Sequence, residues 1–272
     1  MKLRFLLLLF LGMLSSISFV IAHEFWLFPT TFFAKIGQSV ALSINVGEDY
    51  AGERWGGGSR RVQRLRLVTP TLEKNLTTSV LQSDSAVQLK SFVGQEIGTH
   101  MIIIETNNSF IELEPKKFEE YLKEDGLDNA LLYRKEKGET KKNGRELYRR
   151  CAKTLVQVEK GNNSKITRNT GMTLEIIPMQ NPYLLPKGSA FTCQFLYEGK
   201  PLTNALVRCW RRVNDKTELE FKRSGTAGKA TFNLSKKGNA DYMVSMVNMV
   251  QLKNNPQADW QSTWGSLTFG MR

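Results

Sequence analysis

Val40-Ala41-Leu42-Ser43-Ile44-Asn45-Val46 and Val62-Gln63-Arg64-Leu65-Arg66-Leu67-Val68 run in strand fashion, and the second stops at Pro70. A period of two is the signature of a strand with one face buried. Upstream, His23-Glu24-Phe25-Trp26-Leu27-Phe28-Pro29 is crowded with apolar residues, as expected of a strand tucked into a sheet. Downstream, Ala86–Leu89 and His100–Glu105 add two further strands, with Gly47–Tyr50 and Gly56–Gly58 as loops. Short strands at this spacing, parted by turn residues, predict a sandwich or barrel.

The period changes at Pro115. Phe118, Tyr121, Leu122, Leu127, Ala130, Leu131 and Tyr133 recur at roughly helical spacing, which predicts a helical segment over about 116–138, interrupted near Gly126. Leu147–Val158 then returns as a strand, and the polar, aperiodic stretch from Asn162 to Gly171 reads as a linker. Beyond it, Leu174–Pro178, Phe191–Tyr197, Ala205–Arg212, Leu219–Arg223, Lys229–Leu234, Tyr242–Val250 and Trp264–Phe269 have the strand density of an Ig-like sandwich. The expectation is a mainly β protein of two β-sandwich domains, 23–165 and 171–272, with a short helical insertion in the first.

Residues 1–22 read as a cleaved signal peptide: a basic start at Lys2 and Arg4, an apolar run from Phe5 to Val20, and a small-residue site ending at Ala22. An exported, periplasmic protein beginning at His23 is therefore expected, with no stable membrane span after cleavage. The net charge of +12 falls to +10 once Lys2 and Arg4 are removed. Lys and Arg are spread along the chain, and their densest runs contain Glu136, Glu139 and Glu146 with few aromatics, so no nucleic-acid partner is expected. Of the three cysteines, Cys193 and Cys209 lie almost symmetrically about the turn Glu198–Pro201. They read either as a disulfide across a hairpin or as two small buried residues.

Candidate metal ligands begin with His23. Once freed, its α-amine (pKa ~7.7–8.0) and imidazole (~6.5) can both be neutral ligands near neutral pH. Such a pair suits Ni, Co, Cu or Zn. Further ligands would come from Glu24, Glu48, Asp49 or His100, the second of two histidines. Glu48-Asp49 also reads as a turn, and His100, beside Met101 and Ile102, as a packed histidine. Met243, Met246 and Met249 alternate faces on a strand, and Trp260 and Trp264 read as buried or as an aromatic platform. No Gly-x-Ser-x-Gly elbow surrounds a serine, and Gly56-Gly57-Gly58 lacks the lysine of a phosphate loop, so no enzyme is expected.

Five stretches carry a family resemblance: Ala22–Leu27, Glu120–Asp128, Leu174–Pro178, Gly199–Val207 and Ala258–Phe269. In that order they resemble the bacterial family called domain of unknown function 4198, whose members are described as periplasmic components of nickel/cobalt uptake. The second half is also similar to carboxypeptidase-regulatory and transthyretin-like sandwiches. The resemblance implies a non-catalytic accessory that binds or takes up a transition metal, with an envelope transporter or outer-membrane receptor as partner. Two alternatives stand beside it: an interaction module with no metal role, and a copper oxidase with an N-terminal histidine brace completed by His100. The sequence departs from the family where many members have Val-His-Met; here it reads Val247-Asn248-Met249.

Overall fold

The computed structural model describes residues 24–77, 89–214, 216–234 and 238–272. The expected signal peptide and His23 lie outside the described residues, as does most of the strand expected at Ala86–Leu89. The chain is mainly β, with stacked sheets and a short helical insertion.

The first half contributes β1 (Glu24–Pro29), β2 (Phe33–Ala34), β3 (Ser39–Glu48), β4 (Ala51–Arg54), β5 (Val62–Val68), β6 (Glu73–Asn75), β7 (Leu89–Val93), β8 (Gly98–Thr106), β9 (Ser109–Leu113) and β10 (Gly144–Val158). The second contributes β11 (Leu174–Pro178), β12 (Ala190–Tyr197), β13 (Lys200–Pro201), β14 (Leu206–Val213), β15 (Lys216–Arg223), β16 (Lys229–Asn233), β17 (Ala240–Gln251) and β18 (Trp260–Met271). A ten-stranded sheet forms the middle layer, ordered β15-β14-β17-β18-β10-β8-β5-β6, with β2 and β9 also pairing to β10.

The two halves meet in this sheet. β15, β14, β17 and β18 form one antiparallel block and β10, β8, β5 and β6 another. The joint is a parallel pairing of Glu146–Thr154 with Trp260–Thr268. The sheet thus bridges the linker expected between two domains. The C-terminal strand is longer than its apolar pattern suggests, and it lies centrally.

Successive residues of β10 point to opposite faces and feed different cores. Cys151 and Leu155 face the four-stranded sheet β11-β12-β13 with β16, packing with Ile176, Phe191 and Phe195. Ala152 and Val156 face the sheet β1-β3-β4 with β7, packing with Phe25, Leu27 and Ile44. On that same side, β1 stands edge-on over β18. Ser266 Oγ donates to the Phe25 carbonyl at 2.6 Å, and Thr268 Oγ1 to the Leu27 carbonyl at 2.7 Å. One face of β1 then packs toward β10, β8 and β5, while Trp26 and Phe28 turn toward Trp210 and Met243 on β14 and β17. Phe25, Trp26 and Leu27 are all buried, which is why this run is apolar throughout instead of alternating.

The helices Pro115–Glu124 and Asp128–Glu136 cover the neighbouring part of the same sheet face. Tyr121 stacks on Trp264 at 6.0 Å, and Tyr133 meets Trp260 edge-on at 5.6 Å. Both tryptophans are buried against the helices, the plain structural use of that pair. The break falls at Gly126, whose φ of +63° favours glycine and whose added Cβ would collide with Leu206 of β14.

Cys193 and Cys209 correct one expectation. They do not face each other across a hairpin: Cys193 lies on β12 in one sheet and Cys209 on β14 in another. All three cysteines are free, buried thiols, and burial raises Cys209 to about 12. β12 turns instead into β13, while β14 pairs with β15 and β17.

Removing the hydroxyl donors beneath β1 tests this arrangement. The double variant Ser266→Ala, Thr268→Val leaves two buried carbonyls without these donors, so denaturant unfolding should show a loss of about 1–3 kcal/mol for each. Unchanged stability would mean that these contacts do not hold β1.

Candidate functional site

The edge-on seating of β1 delivers its first residue to the junction of three elements. Glu24 Oε1 accepts from Trp210 Nε1 at 3.1 Å and from Ser245 Oγ at 3.4 Å. Arg208, two residues before Trp210 and so on the same face of β14, donates to Asp125 Oδ1 at 2.8 Å and to the Glu124 carbonyl. Asp125 caps the first helix just ahead of the Gly126 turn. The β1 start and the helix turn, both stretches that carried the family resemblance, therefore meet over β14 and β17.

The rim comes from the β3–β4 hairpin. Glu24 pairs with Gly47, and Glu48 with Ala51, so Asp49 and Tyr50 form a two-residue turn. Both have positive φ, 54° and 57°. Tyr50 is held in that conformation by complete burial against Trp26 at 5.6 Å, with the Arg212 guanidinium 4.4 Å from its ring. Glu48 and Asp49 remain exposed, so the turn reading of this pair holds, and it sets two carboxylates beside the start of β1.

Acid dominates the junction. Burial raises Glu24 to about 7; Arg208 opposes the rise, while Asp125 and Asp49 add to it. Burial likewise raises Asp125 to about 6, against Arg208, with Glu124 and Glu48 pushing further upward. Beneath the first helix, Glu146 is fully buried and raised to about 7 by desolvation, opposed by hydrogen bonds from Ser262 and Tyr121 (3.3 Å for the latter). The carboxyls feel one another, and Arg208 is the cation acting on both Glu24 and Asp125.

The sequence candidates separate into two places. Glu24, Glu48 and Asp49 gather at the junction. His100 does not join them: it pairs with Val156, beside Gln157, whose partner is Phe33, nine residues beyond Glu24 along the chain. Its ring is buried, Nε2 lies 2.9 Å from the Glu96 carbonyl, and burial lowers its pKa. Residue 248 also sits apart, since the β17 side chains toward Glu24 are those of Ser245 and Val247, whereas Asn248 shares the opposite face with Met246. The methionines divide among three cores. Among the described residues no three His, Cys, Asp or Glu side chains converge as a metal cage. Asp125, Arg208 and Trp210 carry no local signal in the sequence: Asp125 lies within Glu120–Asp128, and nothing local links it to a strand over eighty residues away.

Fold and site together define a three-layered, mainly β protein with an acid-rich polar junction at the start of its first strand. The chain belongs to the family Domain of unknown function (DUF4198), whose model matches residues 20–248. No curated protein matches it. Among solved structures it is similar to the D0-D1 domain of intimin, at 11% identity over 90% of this chain and 97% of that one, with a TM-score of 0.21. A mutant Salmonella alpha-2-macroglobulin matches at 10% identity over 90% of this chain and 14% of that one, with a TM-score of 0.21. The three N-terminal domains of the bacteriophage RB49 outer capsid protein Hoc match at 8% identity over 90% and 59%, with a TM-score of 0.19. Similarity at this level carries no argument about the site.

The raised carboxyls predict a pH dependence. Each makes the folded state hold a proton that the unfolded chain has released, so its stabilising effect is complete below roughly pH 4 and is lost as pH rises through the folded value. For Glu146 that loss ends near pH 7. Glu146→Gln keeps the acceptor for Ser262 and Tyr121 and removes the buried charge. Its unfolding free energy at pH 8 should exceed the parent's by roughly 1–3 kcal/mol, with a flatter profile between pH 4 and 7. A parallel profile with no gain would place the Glu146 proton elsewhere.

Proposed function

We propose that the chain is an exported, non-catalytic protein that binds a transition metal of the nickel, cobalt or copper class at its mature N-terminus. One observation carries the reading: Glu24, the second residue after the expected cleavage site, is anchored in a junction where acidic groups outnumber cations. Burial chiefly raises Glu24 and Asp125, neighbouring carboxyls add to the rise, and a cation there would favour their ionised forms. In this reading the His23 amine and imidazole supply the nitrogens, and Glu24, Asp125, Glu48 or Asp49 supply oxygens, a mixed set suited to borderline divalent metals. The protein would pass its metal in the periplasm to an envelope transporter or outer-membrane receptor. A brace completed by His100 loses support, because His100 lies at the far end of β1 and β2.

A second reading, an envelope interaction module without metal, is favoured by β15, which ends the central sheet and exposes Phe221 (66%) and Leu219.

Calorimetric titration of protein beginning at His23 with nickel, cobalt, copper and zinc separates the two. The metal reading expects binding at micromolar or tighter affinity, weakened at least tenfold in His23→Ala and reduced in Asp125→Asn. No binding, or equal binding by all three proteins, would leave the interaction module.

A further inference from the structure

Lys153 and Glu175 meet at β11, the edge strand of the sheet stacked on the ten-stranded sheet, each with a side chain only 1% exposed. Lys153 projects from β10 and Glu175 from β11, so the contact links the two halves and the two layers. Lys153 Nζ contacts Glu175 Oε1, and the Ile176 carbonyl lies 3.2 Å from it. On the other side of the carboxyl, Oε2 accepts from the backbone N–H of Met172 at 2.9 Å and of Thr170 at 3.2 Å. The Thr170 hydroxyl lies 2.9 Å from Oε1 and 3.0 Å from Oε2.

From this geometry we propose that Lys153 and Glu175 condense to an intramolecular isopeptide bond that covalently staples the two layers of the fold.

The parts of an amide-forming site are present. The amine is a nucleophile only when neutral, and burial lowers Lys153 to about 7. In a dry core a charged pair is expensive, so transfer of one proton from ammonium to carboxylate, giving amine and acid, is favoured over its position in water. The backbone N–H groups of Thr170 and Met172 form an oxyanion site for Oε2 when Nζ adds to Cδ. The Thr170 hydroxyl, half-buried and touching both oxygens, relays protons to Oε1. The Nζ–Cδ bond forms and the Cδ–Oε1 bond breaks. Two of the three ammonium protons leave with Oε1 as water, the third stays on the amide nitrogen, and nothing is oxidised or reduced. Fixed juxtaposition in a folded chain corresponds to effective concentrations of about 10⁵ M or more, enough to drive a reaction that is negligible between free side chains.

Intact mass spectrometry of the purified chain under denaturing conditions tests this. The wild-type protein should be lighter than its sequence by one water, and a protease digest should contain a branched peptide joining residues 153 and 175. Lys153→Met should keep its full mass whether or not it is stable, and Glu175→Gln, where circular dichroism shows it folded, should lose one ammonia instead of water. A wild-type protein of full mass, or one with residues 153 and 175 in separate linear peptides, overturns the proposal.

Discussion

The structure turns on the way β1 stands edge-on over β18. An edge strand has one row of backbone groups without a neighbour, and burying such a row is costly unless each group finds a partner. Here Ser266 and Thr268, alternate residues of the C-terminal strand, reach the carbonyls of Phe25 and Leu27. That contact lets β1 bury both faces at once, one against β10, β8 and β5 and the other against β14 and β17. Each fully buried large apolar side chain is worth roughly 1.5–3 kcal/mol, so Phe25, Trp26 and Leu27 together anchor the strand strongly. The parallel pairing of β18 with β10 completes the arrangement, since it places the serine and threonine from one half beneath the first strand of the other.

The acid-rich junction is a consequence of that anchorage. Glu24 is the last polar residue before an apolar strand that cannot move, and it is held by Trp210 and Ser245 whatever its charge. The helix turn brings Asp125 to the same place because Gly126 fits against Leu206. One guanidinium serves carboxyls that burial already makes reluctant to ionise. Retaining such a group of acids costs stability, and perturbed carboxyls gathered at one end of a rigid strand are the usual mark of a site over a scaffold. This is the physical basis on which the metal reading rests.

Local pattern made much of the fold legible. The alternation in β3 and β5, the apolar run of β1, and the helix broken at Gly126 all follow from residue periodicity and glycine chemistry, and each is found where the sequence put it. Partners were not legible, because a period of two says which face is buried but not against which strand. Hence the parallel joint of β10 with β18 does not follow from the pattern, and of the two readings of Cys193 and Cys209 the structure keeps the buried thiols, because β12 turns into β13 and no hairpin joins the two cysteines. The site was half visible: Glu24, Glu48 and Asp49 are close in sequence or pairing, whereas Asp125 and Arg208 reach the junction only through tertiary packing. His100, readable from its strand either as a ligand or as a packed histidine, is buried with Nε2 2.9 Å from the Glu96 carbonyl.

The central claim is that the start of β1 and the helix turn form one cation site. Carbon-detected NMR of the carboxyl groups, on protein beginning at His23 and titrated with paramagnetic nickel or cobalt, addresses it most directly. The account predicts that the Glu24 and Asp125 carboxyl signals broaden first, while those of Glu96 and Glu105 stay sharp. Broadening centred on Glu96, beside His100, or an unselective loss across all carboxyls, would contradict it.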